Sequence, residues 1–134
     1  MKYNEFVRHV QHRAQLGSTG EAVTAIRATL ATLAERLTLE GAKDLASQLP
    51  REIAAHLAIM PELHAQRFSL DDFFQMVAAR EGVELPNSIY HARVVMEVLR
   101  EAVSAGEMRD VYAQLPEEFR SFIESGIQGQ LKTH

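Results

Sequence analysis

The chain has no cysteine and no tryptophan, and among its 134 residues there are only four prolines and seven glycines. Without cysteine, neither a disulfide frame nor a thiolate metal site can form. With so few prolines and glycines, long segments run free of helix breakers. No stretch approaches the ~18 uninterrupted apolar residues of a membrane-spanning helix. The opening segment MKYNEFVRHVQHRAQ lacks the apolar run of a secretory signal, so a soluble cytoplasmic protein is expected. Runs of like charge are also missing. The net charge is −4, with acids and bases interspersed, and no clustered basic face of the kind that binds nucleic acid. The glycine-rich phosphate loops and the GxSxG nucleophile elbow are absent, and no cofactor is expected. So is the Glu-x-x-His motif of di-iron bundles, since Glu52 and His56 are four apart.

What remains is ordinary globular composition, 46% apolar and 24% charged, rich in Ala, Leu, Glu, Arg and Gln. These are helix formers. A chain of this length is expected to form one domain.

The most informative feature is a segment written twice. AKDLASQLPREIAAHL, at 42–57, returns as MRDVYAQLPEEFRSFI at 108–123. Asp44, Gln48, Pro50 and Glu52 match Asp110, Gln114, Pro116 and Glu118 at an offset of 66. Upstream, Glu35 and Thr38 match Glu101 and Ser104 at the same offset, and Phe6, Val10 and Arg13 match Phe73, Val77 and Arg80 at 67. Residues 1–60 and 68–124 thus read as two copies of one unit, joined by 61–67 and followed by a frayed tail at 125–134.

Each unit reads as four helices. Tyr3, Phe6, Val7 and Val10 form the apolar stripe of the first, and Leu70, Phe73, Phe74 and Val77 repeat it. The second helix is long, carrying Ile26, Leu30, Leu33 and Leu37 in one copy and Ile89, Met96, Leu99 and Val103 in the other. Thr38 and Ser104 open the short third helix, with Glu107 expected to close a capping box. Proline disfavours helical backbone in the preceding leucine, so the third helix must stop before Pro50 and Pro116, where a fourth begins. Leucine is a poor cap, so Gln48 and Gln114 are expected to accept from the new helix's free N–H groups. Asp44 and Asp110 would hold those amides, and Glu52 and Glu118 suit the first helical turn. These eight residues read as a structural corner.

The segments IRATLATLAERLTLEGAKDLASQLPREI and FSLDDFFQMVAAREGVELPNSIYHARVVMEVLREAVSAGEMRDVYAQLPEEF resemble the bacterial family called domain of unknown function 2267, from about Tyr3 to Ile123. The resemblance implies an all-helical tandem repeat and no assigned activity.

Few residues invite chemistry. Glu5, His9 and His12 share one side of the first helix and are the candidate metal ligands. Their face reads first as a solvated one opposite Phe6 and Val10, and the second copy has Met76 and Ala79 at the histidine positions. His91 stands opposite Ala25 of the first copy, where it would line a groove with Tyr90 and Arg93. Phe119 and Phe122, with Tyr112, read as core or as a partner-binding patch. The expectation is an all-α fold, two similar four-helix units around one shared core. Its function reads as a non-enzymatic binding or interaction module for a protein or peptide, with homodimerisation as a subcase. The alternative is a small enzyme or metal-binding protein using His and Glu residues gathered by folding.

Overall fold

A computed structural model describes the backbone of residues 1–132 and the side chains through Ser125. The tail expected to fray, 125–134, lies almost wholly outside the described side chains. Among the described residues there are eight α-helices and no strand. They are α1 (Tyr3–Arg13), α2 (Thr19–Arg36), α3 (Leu39–Ala46), α4 (Arg51–Ala54), α5 (Leu70–Glu81), α6 (Leu85–Ala102), α7 (Ala105–Ala113) and α8 (Glu117–Lys132). Two single 3-10 turns, Ala55–Leu57 and Pro61–Leu63, lie between α4 and α5.

The helix starts follow capping chemistry. Hydroxyls of Ser18, Thr38, Ser69 and Ser104 accept from the N–H three residues on, each at 3.0–3.1 Å. Gly82 ends α5 with φ 76°, the left-handed geometry glycine adopts without steric cost. Pro86 sits in the first turn of α6, where its missing N–H costs nothing.

The long helices α2 and α6 lie against each other at the centre. α1 packs on both, and so does α5; α8 covers α6, and the α4 segment with its 3-10 turn covers α2. The apolar stripes therefore converge on one continuous core, including Phe6, Ile26, Leu30, Phe73, Leu99 and Phe119. Burying one such side chain contributes roughly 1.5–3 kcal/mol. Phe119 and Phe122 belong to this core. Their rings meet Phe73 edge-to-face at 5.7 and 6.5 Å, while Tyr112 packs partly buried against the core, under the Arg120 guanidinium.

The join between α4 and α5 is fastened to the end of α2, whose last carbonyls have no partner within the helix. His64 Nδ1 donates to Ala34 O at 2.7 Å. The N–H groups of Ala65 and Gln66 donate to Leu37 O and Glu35 O, both at 2.8 Å. Ala65 reaches its carbonyl by taking a positive φ of 60°.

Candidate functional site

A cleft of about 500 Å³ opens where the start of α2, the end of α5 and the middle of α6 meet. Its wall includes Ser18, Glu21 and Thr24 of the first turns of α2, with Glu81 and His91 opposite. Glu81 is the last residue of α5, and its side chain is only 3% exposed. A carboxylate is disfavoured at a helix C-terminus and disfavoured again by burial. His91 offsets both: its Nδ1 lies 2.5 Å from Glu81 Oε2, and its own side chain is 10% exposed. The other oxygen, Glu81 Oε1, is buried without a partner among the described residues. Ser18 and Thr24 have other commitments, Ser18 to Glu21 and Thr24 to Gly20 O at 2.9 Å. The cleft thus presents two carboxylates, an imidazole and two hydroxyls, more acceptor than donor. Tyr90 does not join it; its hydroxyl donates to Arg13 O at 2.6 Å. Arg93 lies over the Phe122 ring.

The corner residues do something other than expected. Gln48 Oε1 does not cap α4. It accepts from Ser104 N at 2.8 Å, at the start of α7. Gln114 Oε1 accepts from Thr38 N and Thr38 Oγ1, both at 3.0 Å, at the start of α3. Each glutamine therefore reaches across to the other corner's short helix, because α3 and α7 touch. Asp110 holds Gln114 through its main-chain oxygen, at 3.1 Å, rather than its carboxylate. Pro50 precedes α4 with φ −55°, and Pro116 O accepts from Phe119 N as α8 begins. Glu118 Oε1 accepts from Leu70 N at the start of α5, at 3.0 Å. Glu52 is exposed.

With Ser104 N taken by Gln48, Glu107 closes no capping box. Its Oε2 is buried without a partner among the described residues. Burial pushes the Glu107 carboxyl above its usual range, and the nearby charges of Asp110 and Asp44 push it further.

Two ion-pair groups link the ends of α1 and α5 to the long helices. Arg13 bonds Glu101 at 2.6 and 2.9 Å and Glu97 at 2.9 Å. Its hydrogen bond holds Glu101 below the usual carboxylate range. Arg80 bonds Glu35 and, at 2.8 Å, Thr32 Oγ1.

The candidate metal ligands do not converge. Glu5 accepts from Lys2 N at 3.2 Å, His9 is half-buried and His12 exposed. Among the described residues no group of three or more His, Asp and Glu gathers to hold a metal ion. Of the cleft pair, sequence reasoning singled out His91 and missed Glu81. The available signal was an acid closing a helix directly before a glycine, on a helix whose apolar face was already assigned.

A family model described as an uncharacterized conserved protein (DUF2267) matches residues 3–122. No curated protein matches the chain. No helix among the described residues is long and apolar enough to cross a membrane.

Proposed function

The chain belongs to this uncharacterised family, DUF2267, and from that premise we propose that it is a duplicated helical binding module. Its cleft over Glu81 and His91 takes a small molecule rich in hydrogen-bond donors, such as an alkyl diamine. The carrying observation is the Glu81 carboxylate, one oxygen held by His91 and the other buried without a described partner. A bound N–H or ammonium group would satisfy that oxygen and the exposed Glu21 carboxylate beside it.

Duplication is supported by contacts that exchange between matched positions. Gln48 reaches Ser104 while its match Gln114 reaches Thr38, the match of Ser104. Arg13 reaches Glu101 while its match Arg80 reaches Glu35. In this reading residues 1–60 and 68–124 are the units, related by a pseudo-twofold exchange, and the corner residues serve architecture. The cleft then stands out as a buried place where the units differ in chemistry. At the positions matching Glu81 and His91 the first unit has Ala14 and Ala25, both buried. Two small apolar residues satisfy packing there. A buried ionisable pair costs desolvation that packing does not require, which favours a binding role.

The test is calorimetric titration with 1,4-diaminobutane of the native protein and of the Glu81→Ala, His91→Ala double variant. The variant should fold with a melting temperature within a few degrees of the native one and lose binding at least tenfold. Unchanged affinity, no measurable binding by the native protein at millimolar diamine, or collapse of the variant's fold would overturn the reading.

A further inference from the structure

A second cavity lies on a different part of the molecule, between α3 and the segment that follows α4. It has a volume of about 250 Å³. Leu39, Ala42 and Ala46 line one side, and Leu57, Ile59 and Pro61 the other. Lys43 and His64 supply the polar side chains in its lining.

His64 is 9% exposed, and its chemistry is fixed by its neighbour. Ala34 O can only accept, so the proton of the 2.7 Å bond sits on Nδ1. In the neutral ring Nε2 is then an acceptor, and it is buried with no partner among the described residues. An acceptor left in that condition carries its desolvation cost with nothing to offset it. A water would need two to four polar partners, and among the lining side chains only Lys43 and His64 are polar. The segment that closes this side consists of two single 3-10 turns, whose hydrogen-bond geometry is poorer than an α-helix's, so small shifts there are cheap. The same segment leaves Met60 59% and Leu63 38% exposed, extending the apolar surface at the cavity's edge.

We infer that this cavity binds a small aromatic molecule carrying one hydroxyl or N–H donor. The ring lies between the α3 alanines and the Leu57–Pro61 wall, and the donor is given to His64 Nε2. The volume agrees, since an apolar cavity of about 150 Å³ already accepts benzene. Two alanines on α3 leave the slot open, where larger side chains would fill it. The proposal is independent of the cleft at Glu81 and His91, since the two sites share no lining residue.

The experiment is an NMR titration of the full chain with phenol, anisole and toluene, reading amide shifts and the His64 ring nitrogens. Phenol should move resonances of residues 39–46 and 57–64 and shift Nε2. Toluene, which matches phenol in shape, and anisole, which keeps the oxygen but carries a methyl in place of its proton, donate no hydrogen bond and should bind at least tenfold more weakly. Ala46→Leu fills the slot with a good helix former, and should abolish phenol binding while leaving the melting temperature unchanged or raised. Equal affinity for all three probes would refute the role of Nε2. Phenol binding that survives Ala46→Leu, or no phenol shifts in this region at millimolar concentration, would refute the site.

Discussion

At the scale of single residues, the two corner glutamines act as caps for helices other than their own. Each amide oxygen meets a main-chain N–H that its own helix cannot satisfy, at Ser104 and at Thr38. A capping bond of this kind contributes about 1 kcal/mol. Gly41 is part of the same device: a Cβ there would lie 2.1 Å from Gln114 Oε1. Gly41→Ala should therefore destabilise the native protein by up to about 1 kcal/mol in urea unfolding, the bonds lost on expelling Gln114 outweighing the gain in helix propensity. In a Gln114→Ala background the same change should be neutral or stabilising by up to about 1 kcal/mol, through helix propensity alone. Equal costs in the two backgrounds would show that the close approach is irrelevant. Glu107 permits a second prediction with a definite sign. Its folded-state pKa is raised by burial and by Asp110 and Asp44, so protonation favours the fold. Its favourable contribution is complete below the ordinary carboxylate range and is lost as pH rises through the raised value. Glu107→Gln should thus melt higher than the native protein at neutral pH, with the difference shrinking towards about pH 4. A difference that grew on acidification would contradict the assignment. The residue types of the corner were legible in sequence because polar side chains beside a Leu-Pro break must serve free N–H groups. Which N–H groups they serve was not legible, because sequence proximity names the nearest helix and the touching of α3 and α7 names another.

At the scale of elements, the long helices were the most readable part, and the fourth helices the least. Ile26, Leu30, Leu33 and Leu37 keep strict helical spacing, and all four are fully buried. Pro50 and Pro116 announce where α4 and α8 begin, but nothing local announces where they end. α4 stops after four residues and passes into a 3-10 turn against α2, whereas α8 runs sixteen. The ion pairs are likewise a matter of elements: Arg80 joins the end of α5 to the last turns of α2 through Glu35 and Thr32. Glu35 is 8% exposed, so removing Arg80 leaves a buried carboxylate with a long bond from the Gln66 amide, at 3.5 Å, and no cation. Arg80 itself is 41% exposed, which screens the pair and limits the loss. Arg80→Met should cost about 1–2 kcal/mol by urea unfolding, below the 3–5 of a fully buried pair. Adding Glu35→Gln should recover part of it, since the stranded group is then neutral. No recovery would mean that Arg80 acts through packing of its stem and not through charge.

At the scale of the whole molecule, these exchanges explain why the first half of the chain should not stand alone. α1 and α5 each pack on both long helices, so neither half closes its own core. A chain of about 60 residues buries only ~60% of its unfolded surface even when its core is complete. Here a first half cut before Arg67 would also lose the acceptors for Thr38 and Arg13, the donor for Glu35, and the α5 face of α2. Separate peptides 1–66 and 67–134 should each show weak helicity without a cooperative melt. Mixed in equal amounts, they should regain a cooperative transition whose midpoint rises with concentration. A sharp unfolding transition in peptide 1–66 alone would show instead that each unit carries its own core, and that the reciprocal bonds only decorate a boundary. Mutual completion makes a further demand: damage to one half must appear in the other. Gln48→Ala should therefore accelerate amide exchange at the start of α7, where Ser104 loses its cap, as well as near its own corner. Exchange confined to residues 42–57 would show that the two halves are energetically separate.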